Sequence, residues 1–171
     1  DHHCFVVRYN RLEDLGLDMH SDSSDITLNV CLGREFAGST LTFCGLVGHN
    51  AHRKQQHVYH HRVGRAVIHL GRQRHGADDL KGGERMNFIL WNTSTLWRRS
   101  GPYRRIQAQR QRAVESAPDL VCLSYTHDED YREYKKALPK AYALRRGVML
   151  DRVQSDPENQ AEWARLGGCA H

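Results

Sequence analysis

Apolar residues in the first half of the chain come in short runs broken by turn-formers, a spacing that belongs to strands rather than helices. Residues 5–9 are β-branched and aromatic until Asn10 begins a polar break, and residues 17–20 form a second, shorter run. Residues 26–32 alternate: Ile26, Leu28, Val30 and Leu32 share one face, and Thr27, Asn29 and Cys31 share the other. The reading is that the apolar face packs on a core while the other lines something partly polar. Gly33-Arg34-Glu35 is a turn, residues 40–44 a fourth strand entered through Phe36-Ala37-Gly38-Ser39, and residues 47–56 a polar loop. Residues 58–61, 66–70, 75–78 and 85–91 complete eight short strands. Such a series predicts a mainly β domain, a sandwich or a barrel.

After Asn92 the texture changes. Residues 97–117 carry the dense Arg and Gln of a helix with a polar surface, interrupted by Pro118. A brief apolar run follows at 121–125, then helix candidates at 130–138, ended by Pro139, and 157–166, with Pro157 in the first turn and Gly167-Gly168 just past the end. The expected organisation is a β core over 1–92 and a mostly helical extension over 93–171. The net charge of +5 is unevenly placed, with 11 Lys/Arg against 10 Asp/Glu in 1–92 and 14 against 10 in 93–171. So small an excess favours a solvated basic face over a nucleic-acid surface.

No run approaches the roughly 20 apolar residues of a membrane span, and no signal-peptide pattern is present. The five cysteines, Cys4, Cys31, Cys44, Cys122 and Cys169, are scattered with no Cys-x-x-Cys. This reads as reduced, structural thiols in a cytoplasmic or nuclear protein. A start at Asp1, running straight into an apolar strand, reads as a fragment or processed form.

The chemistry begins at His20-Ser21-Asp22. In extended chain, residues i and i+2 point the same way, so His20 and Asp22 leave the backbone side by side while Ser21 points away. The pair is two-thirds of the 2-His-1-carboxylate triad that binds non-haem Fe(II) and leaves positions open for chemistry. His75 is the best third ligand from a later strand. Ten residues on, Arg85 opens the apolar strand Phe88-Ile89-Leu90-Trp91, and an arginine there makes sense if its guanidinium meets a carboxylate. Period two places Arg85, Asn87, Ile89 and Trp91 on one face.

The series HSD, TLNVCLGREFAGSTLTF and RHGADDLKGGERMNFILW resembles the Fe(II)/2-oxoglutarate-dependent dioxygenases of the prolyl 4-hydroxylase type, and within them the 2-oxoglutarate and iron-dependent oxygenase domain-containing proteins. The resemblance covers residues 4 to about 92. It implies a double-stranded β-helix, or jelly roll, in which His20, Asp22 and His75 hold iron and Arg85 grips the far carboxylate of 2-oxoglutarate. Tyr9 matches the tyrosine that assists that grip, and Thr27, Asn29, Cys31 and Leu41, with Asn87 and Trp91, would line the cosubstrate pocket. The implied activity consumes O2, releases succinate and CO2, and hydroxylates a protein or peptide side chain, with ascorbate a candidate auxiliary reductant. Gly38-Ser39 departs from the family's Gly-Gly, a change expected to be without consequence. An oxygenase on a small molecule or nucleic-acid base, a catalytically silent jelly roll used as an interaction module, and a metal barrel of the cupin sort stay open as alternatives.

Two further histidine groupings have weaker patterns. His49, His52, His57, His60 and His61 are mixed with Arg53, Lys54, Gln55 and Gln56, which reads as a solvated loop and edge strand more than a second metal site. Cys122, His127, Cys169 and His171 fit no compact zinc spacing. His69, following Ala66-Val67-Ile68, reads as structural, and the Arg98-Arg99, Arg104-Arg105 and Arg110-x-Arg112 series as a solvated helix face.

Overall fold

The structure is a computed structural model that describes residues 1–110 and 119–123. Two four-stranded antiparallel sheets carry the molecule. The first has the order β1-β10-β3-β7, from β1 (His2–Tyr9), β10 (Arg85–Asn92), β3 (Ile26–Gly33) and β7 (Ala66–Leu70). The second has the order β2-β8-β5-β6, from β2 (Leu17–His20), β8 (Gln73–Ala77), β5 (Leu41–Leu46) and β6 (Gln55–Tyr59). β4 (Phe36–Gly38) and β9 (Leu80–Gly83) form a separate two-stranded sheet.

The eight expected strands are all present, with boundaries moved by a few residues. The additional pair, β4 and β9, is three and four residues long and contains Gly38, Gly82 and Gly83, so neither strand has the alternation by which strands are recognised. β1 and β10 pair along their whole length, from His2 opposite Asn92 to Tyr9 opposite Arg85, which joins the first strand to the last among the described residues. On the other side of β10, Asn87 faces Cys31, Ile89 faces Asn29 and Trp91 faces Thr27.

On β3 the face of Thr27, Asn29 and Cys31 turns inward, as expected, whereas the apolar face, against expectation, does not pack on a core. Thr27, Asn29 and Cys31 are 1%, 7% and 0% exposed, whereas Ile26 and Leu32 are 46% and 48% exposed. Alternation shows that the two faces of a strand differ, not what each of them packs against. Here the inward face carries the chemistry, and Arg85 and Asn87, at 1% each, join it from β10. The outward face keeps apolar residues in contact with solvent, with Val6, Ile68 and Leu70 among them.

Beyond β10 the expected helix over 97–117 begins earlier and is broken. α1 (Thr95–Arg99) is capped by the Ser94 hydroxyl, which accepts from the Trp97 amide at 3.2 Å, and it ends at Ser100 in extended backbone. Ser100 then accepts from the Tyr103 amide at 3.3 Å to start α2 (Gly101–Arg110), with Pro102 in the first turn. α1 is tied to the strand below it: Arg98 Nε meets Asp25 Oδ1 at 3.0 Å, and the Ser94 amide donates to Asp25 Oδ2 at 2.7 Å. The apolar run at 121 opens as a single 3-10 turn, Leu120–Cys122. The helix candidates at 130–138 and 157–166 lie outside the described residues, as do His127, Cys169 and His171.

Cys44 and Cys122 form a disulfide, which corrects the reading of all five cysteines as reduced thiols and removes Cys122 from any zinc set. They are 78 residues apart in sequence, so no local spacing announced the pairing. Cys4 and Cys31 are free, the first exposed and the second buried. Among the described residues, no helix is long and apolar enough to cross a membrane.

Candidate metal centre and anion clamp

His20 and His75 face each other as partners across β2 and β8. Asp22 sits two residues beyond β2, where its backbone N–H donates to the carbonyl of Gly71 at 2.8 Å. Gly71 allows that approach: a Cβ there would lie 2.0 Å from the carbonyl oxygen of Ser24. The consequence is convergence on one carboxylate oxygen. His20 Nε2 lies 3.3 Å and His75 Nε2 3.7 Å from Asp22 Oδ1.

Each of the two rings is oriented from behind. Nδ1 of His20 donates to the carbonyl of Asp18 at 2.8 Å, and Nδ1 of His75 to the carbonyl of Gln73 at 2.9 Å. With Nδ1 protonated, each Nε2 presents a lone pair to the shared space, the arrangement by which proteins prepare histidine as a metal ligand. The other oxygen of Asp22 is occupied by the Thr27 hydroxyl at 2.5 Å, and Thr27 in turn accepts from Ser24 Oγ at 2.7 Å. Thr27 therefore acts behind the carboxylate, holding Oδ2 so that Oδ1 faces the histidines.

The charge states agree with this use. Burial pushes the Asp22 carboxyl up, but the close rings of His20 and His75 and the bond from the Thr27 hydroxyl together hold it below the usual carboxylate range. Burial, reinforced by His20, drives His75 down to about 3, against the opposing pull of Asp22. Two imidazoles and one carboxylate are the donor set that suits a divalent transition metal such as iron with part of its coordination sphere left open. Among the described residues, His20, Asp22 and His75 form the one group of three whose ligand atoms lie within 4.8 Å of one another. The His49–His61 stretch yields no such group.

His69 belongs to this neighbourhood and was missed. Its Nε2 lies 3.8 Å from Asp22 Oδ2, its ring stands 4.4 Å from that of His75, and Phe43 packs on it at 5.5 Å. Alternation on β7 places it inward between exposed Ile68 and Leu70, a signal that only the true orientation of the sheet makes readable.

A cavity of about 360 Å³ runs from this centre between the two large sheets, and its wall includes Tyr9, Thr27, Asn29, Leu41, Arg85, Asn87 and Trp91. Cys31 does not reach the wall. It is wholly buried, and its sulfur contributes to the field at Arg85. Ser21, expected to point away, is also on the wall, because the regular strand ends at His20 and the period-two argument stops with it.

Arg85 meets no carboxylate among the described residues. Its Nε donates to Asn87 Oδ1 at 3.0 Å, its Nη1 to the Ser39 carbonyl at 2.6 Å and to Ser39 Oγ at 3.0 Å, and its Nη2 to His61 Nδ1 at 3.1 Å. Ser39, at a φ of 50°, is the residue that departs from Gly-Gly, and the departure has a consequence: its hydroxyl is one of the acceptors that hold the guanidinium. Burial pushes the Arg85 guanidinium down from its ordinary value, and Tyr9, Cys31 and Asp78 counter that. A buried cation held by neutral acceptors on a cavity wall, with one Nη2 N–H beyond these contacts, is suited to receive an anion.

Tyr9 lies beside it, with the Arg85 guanidinium carbon 5.8 Å from the ring centroid. Burial raises the Tyr9 phenol to about 12, although Arg85 pulls the other way. The phenol is therefore a donor at neutral pH. A raised value means that the fold favours the neutral phenol, so this contribution to stability is complete below pH 10 and is lost as the pH climbs from 10 to about 12. It amounts to roughly 2–3 kcal/mol. Thermal denaturation of the chain and of Tyr9→Phe across that range is expected to show a downward step in the first that the second lacks.

No protein-family model matches the chain. Curated relatives do. The chain is 39% identical over 109 residues to the 2-oxoglutarate and iron-dependent oxygenase domain-containing protein ICU11 of Arabidopsis thaliana, covering 61% of this chain and 28% of that protein. It is 43% identical over 90 residues to the mouse 2-oxoglutarate and iron-dependent oxygenase domain-containing protein 2, covering 53% and 26%, and 40% identical over 99 residues to the human protein, covering 58% and 28%. The chain thus spans only about a quarter of the length of these relatives. Solved structures of looser likeness include a 2OG-Fe(II) oxygenase family oxidoreductase from Burkholderia pseudomallei, at TM-score 0.43 and 22% identity over 52% of this chain and 40% of that one. Another is a crystal structure of prolyl 4-hydroxylases from Phytophthora capsici, at TM-score 0.44 and 14% identity over 97% and 61%. Over its matched region, this chain is similar to the 2-oxoglutarate and iron-dependent oxygenase domain-containing proteins.

Proposed function

We propose that this chain carries the catalytic core of an Fe(II)- and 2-oxoglutarate-dependent dioxygenase, built as a double-stranded β-helix over residues 1–92 with an extension over 93–171. The observation that carries the reading is one cavity with a 2-His-1-carboxylate donor set and, on the same wall system, a buried arginine that meets no carboxylate among the described residues. Each of the two is uninformative alone. Together they match the two ends of a 2-oxo diacid, one end able to chelate a metal and the other anionic.

In this reading His20, Asp22 and His75 hold the iron, with Thr27 behind Asp22. Arg85 and the protonated phenol of Tyr9 receive the far carboxylate, and Asn29, Asn87 and Leu41 shape the space between. Iron and O2 supply the oxidising power, and the overall balance is substrate C–H plus 2-oxoglutarate plus O2 giving C–OH, succinate and CO2. The protein's share is to orient the diacid and to keep water from the reacting carbon with the apolar wall of Phe5, Val7 and Ile89.

The substrate we propose is a side chain of a protein or peptide. A cavity of about 360 Å³ must hold the cosubstrate as well, and the remainder suits one side chain presented from outside better than a large free metabolite. Ascorbate as auxiliary reductant, and a cytoplasmic or nuclear location, belong to the same proposal; the Cys44–Cys122 disulfide is the observation that pulls against the location. The test is conversion of 2-oxoglutarate to succinate by the iron-loaded chain in air. Slow conversion without any prime substrate, abolished by chelation, supports the reading. A complete lack of conversion by a folded, iron-loaded chain contradicts it.

A further inference from the structure

We propose that His61 is the positioning residue of the anion clamp, holding Arg85 and Asn87 in the orientation that receives the far carboxylate of the diacid. This rests on the proposed function and adds a residue to it. His61 is 5% exposed, and its Nε2 donates to the carbonyl of Arg65 at 3.0 Å. That bond fixes the tautomer, so Nδ1 carries a lone pair. Two donors converge on the lone pair: Arg85 Nη2 at 3.1 Å and Asn87 Nδ2 at 3.2 Å.

The network closes on itself. Asn87 uses its carbonyl oxygen to accept from Arg85 Nε and its Nδ2 to donate to Asn29 Oδ1 as well as to His61. An Nδ1–H tautomer would set three donors against one another in a buried space and leave the Arg65 carbonyl facing a second acceptor. A single tautomer therefore satisfies every member. With Nε and Nη1 of Arg85 engaged by Asn87 and Ser39, the position of Nη2, the part of the guanidinium that remains for a ligand, depends on His61.

The surroundings keep the ring neutral. Burial lowers its affinity for a proton and the Arg85 charge does the same, while the bond to Arg65 acts in the opposite direction. Tyr59 of β6 presents only its ring, 5.5 Å from that of His61. Since no carboxylate among the described residues anchors Arg85, His61 supplies the preorganisation that an ion pair would otherwise give, sparing the long side chain an entropy cost on binding.

The experiment is anaerobic titration of 2-oxoglutarate into the Mn(II)-loaded chain, comparing wild type, His61→Leu and His61→Asn. Leucine removes the acceptor at similar bulk, whereas the asparagine oxygen stands close to where Nδ1 stood. Loss of two hydrogen bonds is expected to weaken binding by about tenfold or more in His61→Leu. His61→Asn should stay within about threefold of wild type, and Mn(II) affinity should be the same in all three, as suits a residue that acts only on the distal end of the diacid. Equal binding by wild type and His61→Leu overturns the proposal, and so does an asparagine variant as weak as the leucine variant. Nitrogen-15 shifts of His61 in the unmodified chain give an arm that needs no variant: an Nε2–H tautomer supports the proposal, and an Nδ1–H tautomer overturns it. Wild type that binds no 2-oxoglutarate removes the proposed function and this inference together, whereas binding that ignores His61 removes the inference alone.

Discussion

Replacing Asp22 with alanine is expected to abolish high-affinity binding of Fe(II) or Mn(II) and, with it, all metal-dependent turnover of 2-oxoglutarate. Asp22 Oδ1 is the atom on which both histidines converge, and its carboxylate is the anionic donor of the set. Removing a group that merely orients a ligand costs about 10–100-fold in metal affinity, so removing the ligand should cost more than that. Asp22→Asn sharpens the expectation. It keeps the shape and the Thr27 contact but discards the charge, and it should bind metal far more weakly than wild type. A calorimetric titration reads both variants, and a variant that retains wild-type affinity would show that the metal, if one binds, sits elsewhere.

The second large effect is expected at Arg85, and it separates the two ends of the cavity. Arg85→Gln should leave metal affinity unchanged while weakening 2-oxoglutarate by about 2–5 kcal/mol, the usual cost of truncating one partner of a buried, hydrogen-bonded charge pair. In affinity that is roughly thirtyfold at the least. The variant should also be less stable than wild type, because Asn87, His61 and Ser39 lose a donor each. Unchanged 2-oxoglutarate binding would assign the distal carboxylate to some other group. Unlike Asp22, Arg85 is expected to show its effect in the cosubstrate titration and not in the metal titration.

How far the chain could be read in advance differs between backbone and site. β10 and β7 were legible because Arg85–Asn92 and Ala66–Leu70 are rich in β-branched and large apolar residues between polar breaks. β4 and β9 were not, because three or four residues with glycine among them have no period. The convergence of His20, Asp22 and His75 was legible for a different reason. His20 and Asp22 are two residues apart on a strand end, and His75 lies shortly before the strand that opens with Arg85, so order along the chain already implies convergence once the strands pair.

What order along the chain does not show is that the outer face of a sheet can keep its apolar residues in contact with solvent. On β3 the apolar residues Ile26, Leu28, Val30 and Leu32 were expected to pack on a core and Thr27, Asn29 and Cys31 to face a partly polar interior; the second face is buried as expected, but Ile26 and Leu32 are exposed. The hydrophobic rule fails there because the interior beside that strand is a cavity with polar residues in its wall and not an apolar core. The same arrangement hid His69 on β7. His61 was hidden by its neighbours: it lies two residues past the end of β6, in a stretch of His, Arg, Lys and Gln that reads as solvated, and its buried partners, Arg85 and Asn87 of β10, are distant in sequence. Ser39 looked like a harmless substitution because its contact, the Arg85 guanidinium, lies 46 residues away.

The most direct test of the central claim, that one cavity holds a metal at His20, Asp22 and His75 and a diacid between that metal and Arg85, is anaerobic titration of 2-oxoglutarate into the chain with and without Mn(II). The account predicts saturable binding of one 2-oxoglutarate per chain, tightened when the metal is present and weakened by Arg85→Gln. Binding that is indifferent to both the metal and Arg85 would contradict it.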